Sequence, residues 1–273
     1  MNALTYVLWS VFLVLSFLPC QGQRYRSIKH VPLNGITAIS MDRNQKIYVA
    51  DVLGQIKKYD LPSGQTEGDY SYGKPGSFAC IDAWQTVRIF AFNADYQEYL
   101  LLDRQLGTAN VQKLPPELIG HAPAAALATD NHIWLYDEFD MSIKKLDEET
   151  GELLINAPLT NDLFGDELQL NYMREYQNWL FVNDAQSGIL VFDLLGNFNR
   201  RLDASATDFF SFWNNMIYFI HRGKLVTMDM YTQERKTYLL PEEVTDKVLL
   251  TSHFLVSFSR KGVRIFEADF EQD

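Results

Sequence analysis

Short apolar runs recur along the chain, each closed by a polar residue. The series is Ile47–Asp51, Ile89–Asn93, Ile133–Asp137, Leu180–Asp184, Ile217–His221 and Leu255–Ser259. Their length and their content of β-branched and aromatic residues predict buried strands. Seven to nine residues after each run, a second run ends in a hydrophobic residue followed by an acid. Those pairs are Tyr59-Asp60, Leu102-Asp103, Leu146-Asp147, Phe192-Asp193, Met228-Asp229 and Phe266-Glu267. The spacing fits a hairpin, with Gly54, Gly188, Gly223 and Gly262 where its turn needs positive φ. A third strand precedes each unit, as at 36–41, 78–83 and 124–128, and a fourth follows the acid, as at 110–114, 153–157 and 236–240.

The repeated acids stand 36 to 46 residues apart. A period of about 40 residues in four-stranded units predicts a β-propeller, in which each blade buries its faces only against its neighbours. The fold expected is all-β: six four-stranded antiparallel blades in a single domain over 23–273. The sixth unit runs out six residues after Glu267 and lacks a fourth strand. Residues 25–33 form a strand-like segment with no unit of their own. They are expected to complete the last blade, since closing the ring removes an exposed edge. The repeated acids are expected to be turn formers.

Composition narrows the choices. At 47% hydrophobic residues the chain can fill a large core. A net charge of −11 repels phosphate backbones and anionic lipid heads, so nucleic acid is not an expected partner. Residues 1–22 carry no charged side chain, and an apolar stretch of about 15 residues has the length of a signal-peptide core. An export signal over 1–22 places the chain in the periplasm or outside the cell. The alternatives are an uncleaved anchor and lipid attachment at Cys20, and membrane association is expected only through such an N-terminus. Cleavage before Gln23 would leave Cys80 as the one cysteine, read as a core residue. The ring is expected to be monomeric.

The first unit, Met41 to Asp51 and Ile56 to Asp60, resembles an NHL repeat, and 128–147 is a looser match. The resemblance implies a six-bladed propeller. Such propellers serve in protein binding, RNA binding and metal-dependent hydrolysis or lyase chemistry, so it does not select one function.

No Gly-x-Ser-x-Gly, His-Glu-x-x-His or paired-cysteine motif occurs, and the five histidines are scattered. The positions that end the second strand of successive blades should share one face. Asp51, Asn93, Asp137 and Asp184 are therefore candidate ligands for Ca²⁺ or another hard divalent cation, with His221 as a candidate general base. Lactonase-type six-bladed propellers, which the fold resembles, hold a metal centrally through such side chains. The hairpin loops also offer a partner-binding face: Asp95, Tyr96, Glu138, Phe139 and Asp140 on one side, Arg222, Arg260 and Lys261 on the other.

Three readings follow. The first is an extracytoplasmic binding platform for a protein, peptide or glycan, without catalysis. The second is a metal-dependent lactonase or esterase with an axial cation. The third is a membrane-tethered structural or assembly component.

Overall fold

The computed structural model describes residues 25–270 apart from 62, 86, 161–163, 165–167, 205, 206, 245, 260 and 269. The expected export signal and Cys20 lie outside the described residues, as does Arg260. Twenty-four strands form six separate four-stranded sheets, every pairing antiparallel. Blade 1 runs outward from Ile36–Met41 through Ile47–Asp51 and Gln55–Tyr59 to Thr66–Ser71. The same order recurs over 80–113, 124–158, 170–202 and 210–239.

Blade 6 takes three strands from the C-terminal end, Lys247–Leu250, Phe254–Ser259 and Gly262–Glu267, and its outermost strand from Arg26–Val31. Arg26 stands opposite Glu267 and Val31 opposite Val263, and Arg26 and Glu267 form an exposed ion pair. The ring closes as expected, by exchange of a terminal strand.

Burial explains the sequence pattern strand by strand. The middle strands are covered on both faces by adjacent blades, so they read as continuous apolar runs, as in Ile133–Asp137 and Gly188–Phe192. Outermost strands meet a blade on one face and water on the other. Leu153–Pro158 and Arg235–Leu239 therefore alternate. The innermost strands of blades 1 and 2, 2 and 3, 3 and 4, and 5 and 6 lie against each other, and one apolar cluster runs through all six blades. Three smaller clusters fill seams between blades 1 and 2, 3 and 4, and 5 and 6. Cys80 belongs to this core, its Sγ 3.1 Å from the Ala125 carbonyl, and burial pushes its thiol pKa upward.

The repeated aspartates do form turns. Asp103 accepts the amides of Gln105 at 2.7 Å and Thr108 at 2.7 Å, and Asp147, Asp193 and Asp229 accept equivalent amides. The Thr108 hydroxyl and the turn amides outweigh desolvation and hold the Asp103 carboxyl at about 2, against 3.8 for the free side chain. A depressed folded pKa means stabilisation that is complete above the unfolded value and lost as pH falls towards 2. Asp103→Asn is expected to cost at most about 1 kcal/mol near neutrality, because the turn is solvated and screened. Chemical unfolding at pH 6, 4 and 2 checks this: the gap from wild type should narrow towards pH 2.

Candidate functional site

The hairpins joining second to third strands, and the segments entering each innermost strand, share one face of the ring. This loop face carries the sequence-predicted residues. Leu53 is 68% exposed and Phe139 78%, with Val52 and Tyr96 also exposed. These four apolar side chains sit on the hairpins of blades 1, 2 and 3, interleaved with the exposed Asp95, Glu138 and Asp140. Arg222 and Lys261 are exposed on the hairpins of blades 5 and 6. The hairpins differ in charge, but the segments entering blades 5 and 6 bring the exposed Asp208, Glu242, Glu243 and Asp246 to the same side of the face as Arg222 and Lys261.

The candidate metal ligands are placed differently. Asp51 accepts the amides of Leu53 and Gln55 within its own hairpin. Asn93 is fully buried, its Oδ1 accepting the Tyr96 amide while its Nδ2 has no hydrogen-bond partner among the described residues. Asp137 is buried against the Lys144 ammonium at 2.6 Å and accepts the amides of Gly120, His121 and Phe139. Desolvation works to raise the Asp137 pKa, but Lys144 and those amides outweigh it and hold the carboxyl below its usual range. Asp184 accepts amides from Gln169, Gln186 and Ser187. Among the described residues no three His, Cys, Asp or Glu side chains are grouped to hold a metal ion. Each acid is engaged within its own blade or turn, because a side chain that ends a strand lies nearest to the loop it starts. His221 ends its strand half-buried in blade 5.

At the axis, the loop face opens into a cavity of 190 Å³ lined by Ala38, Cys80, Asn171, Tyr172, Asp208 and Lys247, among others. Lys247 also borders a 490 Å³ recess between blades 6 and 1. Its Nζ donates to the Thr37 carbonyl at 3.1 Å and lies 5.7 Å from the Phe209 ring centre. Burial lowers its pKa, against the opposing charges of Asp208 and Asp246. Deeper in the ring, Arg174 reaches from blade 4 to Asp82 of blade 2 and to the Ser211 hydroxyl of blade 5. Beyond it, at the far ends of the innermost strands, lies a second recess of 410 Å³ that includes Trp84, Tyr176, Phe212 and Trp213. Trp134 is fully buried, whereas Trp84 and Trp213 border this recess.

A further group on the loop face escaped the sequence. The segment joining blades 1 and 2 brings Tyr72 and Lys74 beside Tyr96 and Glu98 of the blade 2 hairpin. Lys74 Nζ lies 5.2 Å from the Tyr72 ring centre, 5.1 Å from that of Tyr96 and 2.6 Å from the Glu98 carboxylate. Tyr72 donates its hydroxyl to the same carboxylate. Residues 73–76 lie in a segment that joins two blades outside the repeated strands, so periodicity could not flag Lys74. Val52-Leu53 in a turn was a legible signal missed: Val52 lies against Gly35, while Leu53 is left exposed.

No family model and no curated protein matches this sequence. Solved structures do match. A catalytically inactive virginiamycin B lyase from Staphylococcus aureus with quinupristin superposes at a TM-score of 0.65 and 10% identity, over 89% of this chain and 99% of that one. A streptogramin B lyase gives 0.62 and 13%, over 90% and 97%. BamB from Moraxella catarrhalis gives 0.51 and 11%, over 86% of each chain. At such identities the likeness shows a shared propeller fold and nothing about activity.

Proposed function

We propose that this chain is an extracytoplasmic, NHL-like propeller that binds a protein or peptide partner on its loop face. The carrying observation is the arc of exposed apolar side chains, Val52, Leu53, Tyr96 and Phe139, on three successive hairpins. Apolar anchors ringed by charge are what recognition surfaces use. A rigid ring supports them, so little ordering entropy is lost on binding. The acids beside the anchors and the cations of blades 5 and 6 would orient a partner of complementary charge. The charge-free segment 1–22 supports export.

Site-specific photo-crosslinking tests this reading. Photoreactive residues at Leu53 and Phe139 are expected to capture the same protein, while Leu195 and Tyr231, exposed on the opposite face, capture none of it. A Leu53→Ser/Tyr96→Ser/Phe139→Ser variant should lose the product. Equal capture from both faces, or none from the loop face, would sink the proposal.

A further inference from the structure

We infer that Tyr72, Tyr96 and Glu98 form an alkylammonium-binding cage, which Lys74 fills in the free protein and a lysine side chain of the partner fills in the complex. The inference rests on the platform reading for its physiological occupant and deepens it. An ammonium is attracted by the negative faces of aromatic rings, and quaternary or lysyl heads are recognised by pairs of rings with a carboxylate. All three walls are present, and the head group of Lys74 already occupies the position such a ligand would take.

The cage is built rather than accidental. The Tyr72 amide donates to the Gly54 carbonyl at 3.0 Å, which ties the joining segment to the blade 1 hairpin. The Tyr96 hydroxyl donates to the Pro75 carbonyl at 3.0 Å. Gly76 sits against Tyr96, where a Cβ would come within 3.3 Å of the ring and 3.2 Å of Asn93 Nδ2. A side chain there would crowd the ring that forms one wall. Tyr72 is edge-on to Tyr96 at 6.2 Å, so the two rings are held at an angle and not stacked shut. Desolvation works to raise the Glu98 pKa, and the bonds from Lys74 and Tyr72 outweigh it, so the anion is retained at neutral pH.

The occupant, by contrast, is easy to displace. The Lys74 side chain is 43% exposed, against 15% for Glu98, so the amine returns to water while the walls stay in place. Leaving costs an ion pair to a largely covered carboxylate and contacts with one buried and one exposed ring, equivalent to about a tenfold penalty on an incoming ligand. A net charge of −11 and the neighbouring Asp95 favour a basic partner.

The test uses the full chain with tetramethylammonium and N-acetyl-lysine amide as probes, followed by NMR shifts of the tyrosine rings against a sodium chloride control. Lys74→Ala should bind both probes about tenfold more tightly than wild type. Adding Tyr96→Ala or Glu98→Gln should abolish that gain. If Lys74→Ala binds no more tightly than wild type, or if the gain survives Tyr96→Ala, the cage does not exist. Probe binding with no loop-face crosslink would remove the platform and keep the cage; crosslinks without probe binding would remove the cage alone.

Discussion

Gly262→Val is expected to lower the melting temperature by about 6–12 °C, corresponding to about 3 kcal/mol or more. Gly262 opens the last strand of blade 6 at φ +127 and faces the N-terminal segment that closes the ring. A Cβ there would press into the Val31 carbonyl oxygen and stand 2.8 Å from the Leu33 nitrogen. Both are backbone atoms, so relief requires the closing strand to move. That strand hydrogen-bonds the two ends of the chain into one sheet, so the damage falls on the seam that closes the ring. Gly223→Ala is the control: its φ is +72, but a Cβ there meets nothing within 4 Å. It should cost about 1 kcal/mol, the left-handed penalty alone. Thermal unfolding of both variants, with hydrogen exchange over 26–31, checks the claim. Equal losses would mean that strain at the turn, not closure, sets the cost.

Lys144→Met is expected to destabilise the protein by about 3–5 kcal/mol while preserving most of the side-chain volume. Lys144 and Asp137 are both buried in blade 3. The ammonium contacts the Asp137 carboxylate at 2.6 Å, Asp140 at 2.8 Å and the Leu118 carbonyl at 2.9 Å. Removing it strands a buried carboxylate. Asp137→Asn should cost less, because Lys144 keeps Asp140 and Leu118. The sign with pH is set by Asp137, whose folded pKa is below the free value of 3.8. Its contribution is complete above that value and disappears as pH falls through the folded pKa, so the deficit of Lys144→Met should shrink under acid. Denaturant midpoints at pH 7 and pH 3 provide the measurement, and a deficit that grows in acid would contradict the pairing. The same pair bears on metal binding at Asp137. A cation there would have to displace an ammonium already held at hydrogen-bond distance.

The architecture was legible because a propeller is nearly one-dimensional. Each blade repeats one pattern, so Asp60, Asp103 and Asp147 announce the turn they form before any contact is known. The closing strand was legible for a related reason: a sixth unit short of one strand and an unassigned segment at 25–33 have one economical pairing. Residues placed on the loop face by periodicity, including Tyr96, Phe139 and Arg222, are on it.

What each side chain does on that face was decided by tertiary structure. Position along a strand specifies an end of the ring; it does not specify which atom a carboxylate meets. Asp137 and Asp184 share a face with Asp51, yet each is engaged by amides or a lysine within a few ångströms of its own backbone. Nor could spacing reveal Lys74, whose partners come from the blade 2 hairpin and from its own connecting segment. Local chemistry and periodicity determined the strands, the turns and the ring. The Lys144–Asp137 pair forms within the blade 3 hairpin, whereas the contacts of Lys74 and of the axial Lys247 arise only when separate segments are packed together, because they depend on three-dimensional juxtaposition that no repeat encodes.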